Sequence, residues 1–303
     1  MPDYTTTGLI SNIKSRIISP TNDYTFTNQK YVDVLNSELK SKIVPLIMSV
    51  YEEFFVQASD TTITSSTYQF DIPANAIGAK LRDVTIWDLS VSTNPVMLYN
   101  VPRIKPEDLD LQSGFYIQSN TIILNPATGW NLTGKTMRMT YYKRLPLLTP
   151  IVNDATYYAG KVTAINSLVL TLDYFPTGWT TSTSIDVIDS TIPFANIFSA
   201  VSPTAVNSSA KTISLSSVTG ITTNDYVCVT GESVFANIPV DLYDVLAQAA
   251  SVYVLRALGD ANGAALAYSE YQELRQNALN LISPRVDGEN QKVYGLRQIH
   301  DLV

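Results

Sequence analysis

Apolar positions recur at spacings of three and four near both ends of the chain, and at a spacing of two in between. Residues 8–18 predict a short helix, stopped by Ser19-Pro20. Residues 27–56 predict a long one, because Tyr31, Leu35, Leu39, Ile43, Leu46 or Ile47, Val50 and Phe54 form one apolar stripe. Thr27 is the expected N-cap. Pro45 falls inside the stripe, and its missing N–H and bulky ring predict a kink or a split there.

From about residue 59 the period changes to two. Tyr68, Phe70 and Ile72 alternate with polar residues and end at Pro73. Residues 115–117 and 122–124 flank Ser119-Asn120, which reads as a hairpin. Met137, Met139 and Tyr141 alternate with Arg138 and Thr140. These strands define a first β region, residues 59–148. A second, residues 149–238, has strand candidates at 162–165, 168–172, 185–188, 213–215 and 226–229, joined by Ser, Thr, Asn and Gly. The Ser/Thr-rich stretch 199–211 reads as an exposed loop.

Helical spacing returns after Pro239. Asp241 and Asp244 put negative charge in a first turn, where the helix dipole favours it. Leu242, Leu246, Ala249, Tyr253 and Ala257 form its stripe. Gly259-Asp260 and Asn262-Gly263 read as a turn, and a last helix over 264–282 carries Leu266, Tyr271, Leu274, Ala278 and Leu281 before Pro284 stops it. Neither terminal set of helices can bury its stripe alone. The expected fold is therefore α+β: a discontinuous helical bundle, from residues 1–58 and 239–283, into which antiparallel β regions of sandwich or small-barrel type are inserted. Residues 284–303 mix cations and apolar residues without a period and read as a tail that docks on a partner.

Composition narrows the functional classes. The chain has 303 residues, 45% of them hydrophobic and 16% charged, which is the balance of an ordered protein. Its net charge of −7 argues against affinity for nucleic acid, which needs Lys and Arg to displace phosphate counterions, and it suits a conduit past which DNA slides. Cys228 is the single cysteine, so an intramolecular disulfide and a thiolate metal site are both excluded. No apolar run is long enough to span a membrane, and residues 1–4 lack the layout of a signal peptide, so folding in a reducing cytoplasm is expected.

One stretch imitates a catalytic motif. Gly129-Trp130-Asn131-Leu132-Thr133-Gly134-Lys135-Thr136 matches the phosphate-loop spacing. That chemistry needs a helix after the loop, and here a strand pattern follows, so a hairpin turn is the expectation. His300 is the only histidine and lies beside the C-terminus, which leaves no Ser–His or Cys–His pair. Cys228 falls in a strand and reads as a core residue. Glu107, Asp108 and Asp110 follow Pro106 as at an ordinary helix start, and Glu52 and Glu53 read as a solvated face. Asp186 and Asp189 bracket a strand with no spaced partner. No catalytic residue, metal ligand or cofactor is expected. Tail residues Arg285, Val286, Lys292, Tyr294, Arg297 and Ile299 are the candidate partner-binding set.

Several segments together resemble a family of tailed-bacteriophage virion proteins. They are Leu35-Asn36-Ser37-Glu38-Leu39 with Lys42-Ile43-Val44-Pro45-Leu46-Ile47-Met48, Tyr68-Gln69-Phe70-Asp71-Ile72-Pro73, residues 76–83, Pro102-Arg103-Ile104, Glu107-Asp108-Leu109, residues 114–120 and 139–146, and residues 281–288. The likeness is to head–tail connector (neck or adaptor ring) proteins. It implies a ring, usually dodecameric, that sits below the portal protein, meets other neck and tail proteins and lets DNA pass without specific binding. It also implies that residues 284–300 reach the portal. On this reading the chain is a structural protein of the virion, not an enzyme, with no membrane partner. A tail or surface β module that binds host glycan is the alternative, suggested by the Tyr and Trp content and the Ser/Thr/Asn-rich loops.

Overall fold

The computed structural model describes residues 3–17, 26–64, 68–90 and 95–283. It is α+β, with helices at both ends of the chain gathered into one base and antiparallel sheets between them.

The first helices begin where their caps put them. In α1 (Thr6–Arg16) the Thr5 hydroxyl accepts from the Gly8 amide, and in α2 (Asn28–Glu38) Thr27 does the same for Lys30. Pro45 does not end the helix. The chain widens into a π-helical turn over Leu39–Ile43 and re-enters α-helix as α3 (Val44–Val50), with Pro45 in its first turn. A proline cannot donate to the preceding turn and its ring crowds that turn's carbonyl, so the wider turn absorbs both problems. The predicted helix over 27–56 stops earlier than expected. Tyr51 leaves helical geometry at φ −144° and ψ 65°, Glu52–Phe55 form a 3-10 turn, and strand begins at Val56. Phe54 matches the stripe spacing without belonging to the helix; its neighbour Phe55 is the buried one.

At the other end, a 3-10 turn over Val240–Leu242 leads into α4 (Tyr243–Ala257), and α5 (Ala261–Ile282) returns along it. Asn262 and Gly263 are already helical, because the Asp260 carboxylate caps α5 by accepting from the Gly263 amide at 2.8 Å. Helix α4 packs against α1, α2 and α5, and is buried almost all round. Tyr31, Leu35, Ile43 and Ile47 from the first helices share one core with Leu246, Ala249, Ala250 and Val254.

The predicted stripe of α5 holds at Tyr271, Leu274 and Ala278 and fails at Leu266 and Leu281. The buried side chains are Ala264, Ala267, Tyr271 and Ala278, while Leu266 and Leu281 are 71% and 72% exposed. Alanines on the inner face let α5 lie close against α4, with Leu274 and Leu279 half-buried beside them and Leu266 and Leu281 outside. Tyr253 and Ala257, the last two positions of the α4 stripe, are exposed as well.

The first β region is a sandwich. Strands β1 (Val56–Thr62), β2 (Gln69–Asp71), β3 (Ala76–Asp88), β4 (Val96–Asn100), β5 (Gly114–Gln118), β6 (Thr121–Asn125) and β7 (Thr136–Lys143) divide into two antiparallel sheets, ordered β1-β7-β3-β4 and β2-β6-β5. Phe70, Ile72, Val84, Ile86, Ile122, Met137 and Met139 fill the space between them. The hairpin of β5 and β6 turns at Ser119-Asn120, with Ser119 at φ +56°. Pro106 opens only one 3-10 turn, Pro106–Asp108.

Three short strands follow, β8 (Leu147–Leu148), β9 (Val152–Asn153) and β10 (Thr156–Tyr157), the last two forming a small hairpin. Then come β11 (Gly160–Asn166), β12 (Val169–Leu172), β13 (Ile185–Ile188), β14 (Asn196–Val201), β15 (Ala205–Asn207), β16 (Thr212–Ser214) and β17 (Tyr226–Val229). They make one antiparallel sheet in the order β14-β13-β17-β11-β12-β16-β15. The stretch 199–211 is not one exposed loop: residues 199–201 end β14 and Ala205–Asn207 form β15 at the other edge of the sheet, while Ser202, Thr204, Ser208 and Ser209 lie in the connections beside them. Finally β18 (Glu232–Ser233) runs parallel to β8.

The two faces of β13 and β17 serve different cores. Ile185, Val187 and Val227 point into the sheet's own core with Leu170, Trp179 and Ile213. Ile188 and Cys228, on the opposite face, join Phe194 in the core of the helical base. The N-terminal segment seals the same seam: Tyr4 lies edge-on to Tyr243 at 5.1 Å and tilted to Phe194 at 5.8 Å, and Thr5 bridges to Phe235.

Candidate assembly surface

The phosphate-loop imitation is a strand connection. It is not the expected hairpin: residues 126–135 carry the chain from β6 in one sheet to β7 in the other, with Gly129 and Gly134 in the left-handed region at φ +94° and +75°. Trp130 stacks on Tyr99 of β4 at 4.5 Å, Leu132 is buried, and Lys135 is tied to the Asp88 carboxylate. Lys135 and the Ser90 amide and hydroxyl hold the Asp88 carboxyl down at about 2. A strand follows, so no helix N-terminus faces the loop.

The remaining chemical candidates are structural parts. Cys228 is fully buried, and desolvation pushes its thiol well above the usual range. Asp186 lies within β13, buried, and accepts from the amides of Ala200 (2.8 Å) and Gly231 (3.0 Å) and from Asn196 Nδ2. Asp225, also buried, accepts from the amides of Ser190 and Thr222. These two carboxylates satisfy loop amides around the sheet, a job that periodicity does not reveal. Asp189 closes a turn on Thr191. Glu52 is not simply a solvated residue: it accepts from the Tyr142 hydroxyl at 3.0 Å, and Glu53 lies 3.7 Å from Arg82, so both fasten the end of the helical stretch to the sandwich. Among the described residues, no group of three or more His, Cys, Asp or Glu side chains could hold a metal ion. Arg285, Val286, Lys292, Tyr294, Arg297 and Ile299 lie outside the described residues.

What the described surface does offer is exposed apolar area. On the α4–α5 hairpin, Tyr253, Leu258, Leu266, Tyr268 and Leu281 are all exposed, and the Arg256 guanidinium stands over the Tyr268 ring at 5.8 Å. On the sandwich, the edge strand β4 exposes Val96, Met97 and Leu98 and carries no charged residue. Single exposed apolar side chains are ordinary, but a run of them on one helical hairpin marks a surface suited to a partner.

No protein-family model matches the chain, and no curated protein matches it. The geometry therefore stands alone. Among the described residues, no helix is long and apolar enough to cross a membrane. Sequence reading placed the candidate contacts in the tail and missed those on α5, because it assigned Leu266 and Leu281 to the buried side. The signal that would have placed Leu266 outside is the pair Ala264 and Ala267 on either side of it, which permits close helix contact.

Proposed function

We propose that the chain is a structural subunit of a tailed-phage virion: a head–tail connector that forms a ring below the portal protein and lets DNA pass. The observation that carries this reading is the helical base. It closes the two ends of the chain on one another, completes its own core, and still presents Tyr253, Leu258, Leu266 and Tyr268 outward. Ring subunits need such a second apolar surface, used head to tail. The sheets between the helices add β modules on the same base. The net charge of −7 suits a channel past which DNA slides without being held.

On this reading the partners are further copies in a ring, a dodecamer by the resemblance, together with the portal and other neck and tail proteins. The place of action is the head–tail junction of the virion. Residues 284–303 follow directly from α5, and Arg285, Val286, Lys292, Tyr294, Arg297 and Ile299 are proposed to contact the portal. No catalysis and no cofactor enter the role. Sedimentation of the full chain with and without portal tests it: a ring, or a monomer that joins only the portal, is expected. A chain that stays monomeric and never joins portal overturns it, as does electron microscopy that places the subunit away from the junction.

A second reading has one observation in its favour. Tyr157 and Tyr174 stack at 4.5 Å on the surface of the second β region, with Lys211 Nζ 5.4 Å from the Tyr174 ring centre. Tyrosine hydroxyls and ring edges at the surface suit sugar recognition, and a glycan array separates this role in a tail or surface module from the connector role.

A further inference from the structure

A groove of about 330 Å³ lies where the π-helical turn meets the chain leaving β7. Leu39 and Val44 line it from the helical side, and Ile77 and Leu145 from the sandwich side. Leu39 is buried and the other three are half-buried, so the groove is apolar and already formed. Lys40 and Arg144 also line it, and both are exposed. Among the described residues neither is in an ion pair. Two unpaired cations beside an apolar groove, on a chain of net charge −7, describe a receptor for an acidic segment that carries apolar side chains.

The same chain displays such a segment. The turn Glu107-Asp108-Leu109-Asp110-Leu111 holds three carboxylates, none of them ion-paired among the described residues. Leu111 is 83% exposed, more than any other large apolar side chain of the described residues. The turn is held in shape: Asn125 Nδ2 donates to the carbonyls of Leu109 and Gln112, both at 2.7 Å, and the Leu111 and Gln112 amides donate to the Asp108 carbonyl. A preformed knob loses little freedom on docking.

We propose that the groove receives the 107–111 turn of a second copy of this chain. Leu111 enters the apolar groove, and the carboxylates of the turn meet Lys40 and Arg144. A guanidinium donates two parallel N–H bonds to a carboxylate, which fixes the register of the contact. Turn and groove are different parts of the surface, so the contact is head to tail and propagates from copy to copy. The contact deepens the ring reading and relies on it for closure.

Two measurements on the full chain test it. The first follows a fluorescein-labelled peptide of residues 105–126, which carries the β5–β6 hairpin and the Asn125 that holds the turn. It should bind saturably, and the double variant Lys40→Glu/Arg144→Glu should bind it at least tenfold more weakly. The second is sedimentation. Lys40→Glu/Arg144→Glu and Asp108→Lys/Asp110→Lys should each weaken self-association at least tenfold, and a chain carrying all four reversals should recover it. That recovery excludes misfolding as the cause of the losses. Absent peptide binding, or losses that the fourfold variant does not restore, overturns the contact. An assembled ring indifferent to both reversals also overturns the contact while leaving the connector reading intact. A chain that binds the peptide through Lys40 and Arg144 but forms no ring, alone or on portal, supports the contact and removes the connector reading.

Discussion

Gln248 sits in the middle of α4 with almost no exposed surface, yet its amide is fully used. Its oxygen accepts from Arg16 Nη1 at 2.6 Å, and its nitrogen donates to the Ala267 carbonyl at 2.9 Å and to Glu270. It therefore joins α1 to α5 through the helix between them. Gln248→Leu should lower stability by about 1–3 kcal/mol in urea titration, because it strands the Arg16 and Ala267 groups that the amide satisfied. Lys135 makes a contrasting case. Its ion pair with Asp88 lies near the surface, so Lys135→Ala should cost no more than about 1 kcal/mol by the same measurement. It should also leave nucleotide binding at background in an equilibrium assay, since the loop serves a strand. Tyr226 sets an alkaline limit. Burial, and then the nearby Asp3, raise its phenol to about 12, against about 10 in an unfolded chain. Ionisation thus favours unfolding: the contribution of the neutral hydroxyl is complete below pH 10 and is lost as pH climbs to 12. Burial moves Tyr243 in the same direction. Circular dichroism followed with tyrosinate absorbance should show cooperative unfolding in that window, shifted upward in pH by Tyr226→Phe.

Helix and strand positions followed from spacing wherever one face of an element meets one core. Thr27 capped its helix, Ser119-Asn120 turned its hairpin, and the strands of the second β region began within a few residues of their expected places. Spacing placed even β13 and β17, whose two faces meet different cores, and was weakest at telling which way residues face within a helix that meets several neighbours. Helix α4 is buried nearly all round, so its stripe carries no information about which partner lies where. In α5, Ala264 and Ala267 face inward while Leu266 and Leu281 face outward, against a ranking by hydrophobicity. In the 199–211 stretch the Ser and Thr mark the connections, and the three-residue edge strand Ala205–Asn207 between them is too short to show a period. The phase of α5 has a direct test. Leu266→Ser should change stability by less than about 0.5 kcal/mol, as surface substitutions do, while it weakens self-association in sedimentation. Leu246→Ala, in the shared core, should cost about 2–5 kcal/mol in urea titration.

The architecture as a whole was readable because neither set of helices could satisfy itself, and only one arrangement, each against the other, removes both apolar faces from water. The candidate assembly surface was not readable. Lys40 and Arg144 stand about a hundred positions apart, and the groove between them exists only once Ile77 and Leu145 are folded against the π-helical turn. The joined ends also give synthesis an order. Helices α1 to α3 leave the ribosome first, but the surface that covers them is made last, in α4 and α5. Throughout translation of the sheets, Leu35, Ile43 and Ile47 have no permanent cover, which is the condition under which chaperones bind nascent chains. A chain built this way cannot complete its helical base, or form the hairpin that lies outside it, until every sheet has already been translated.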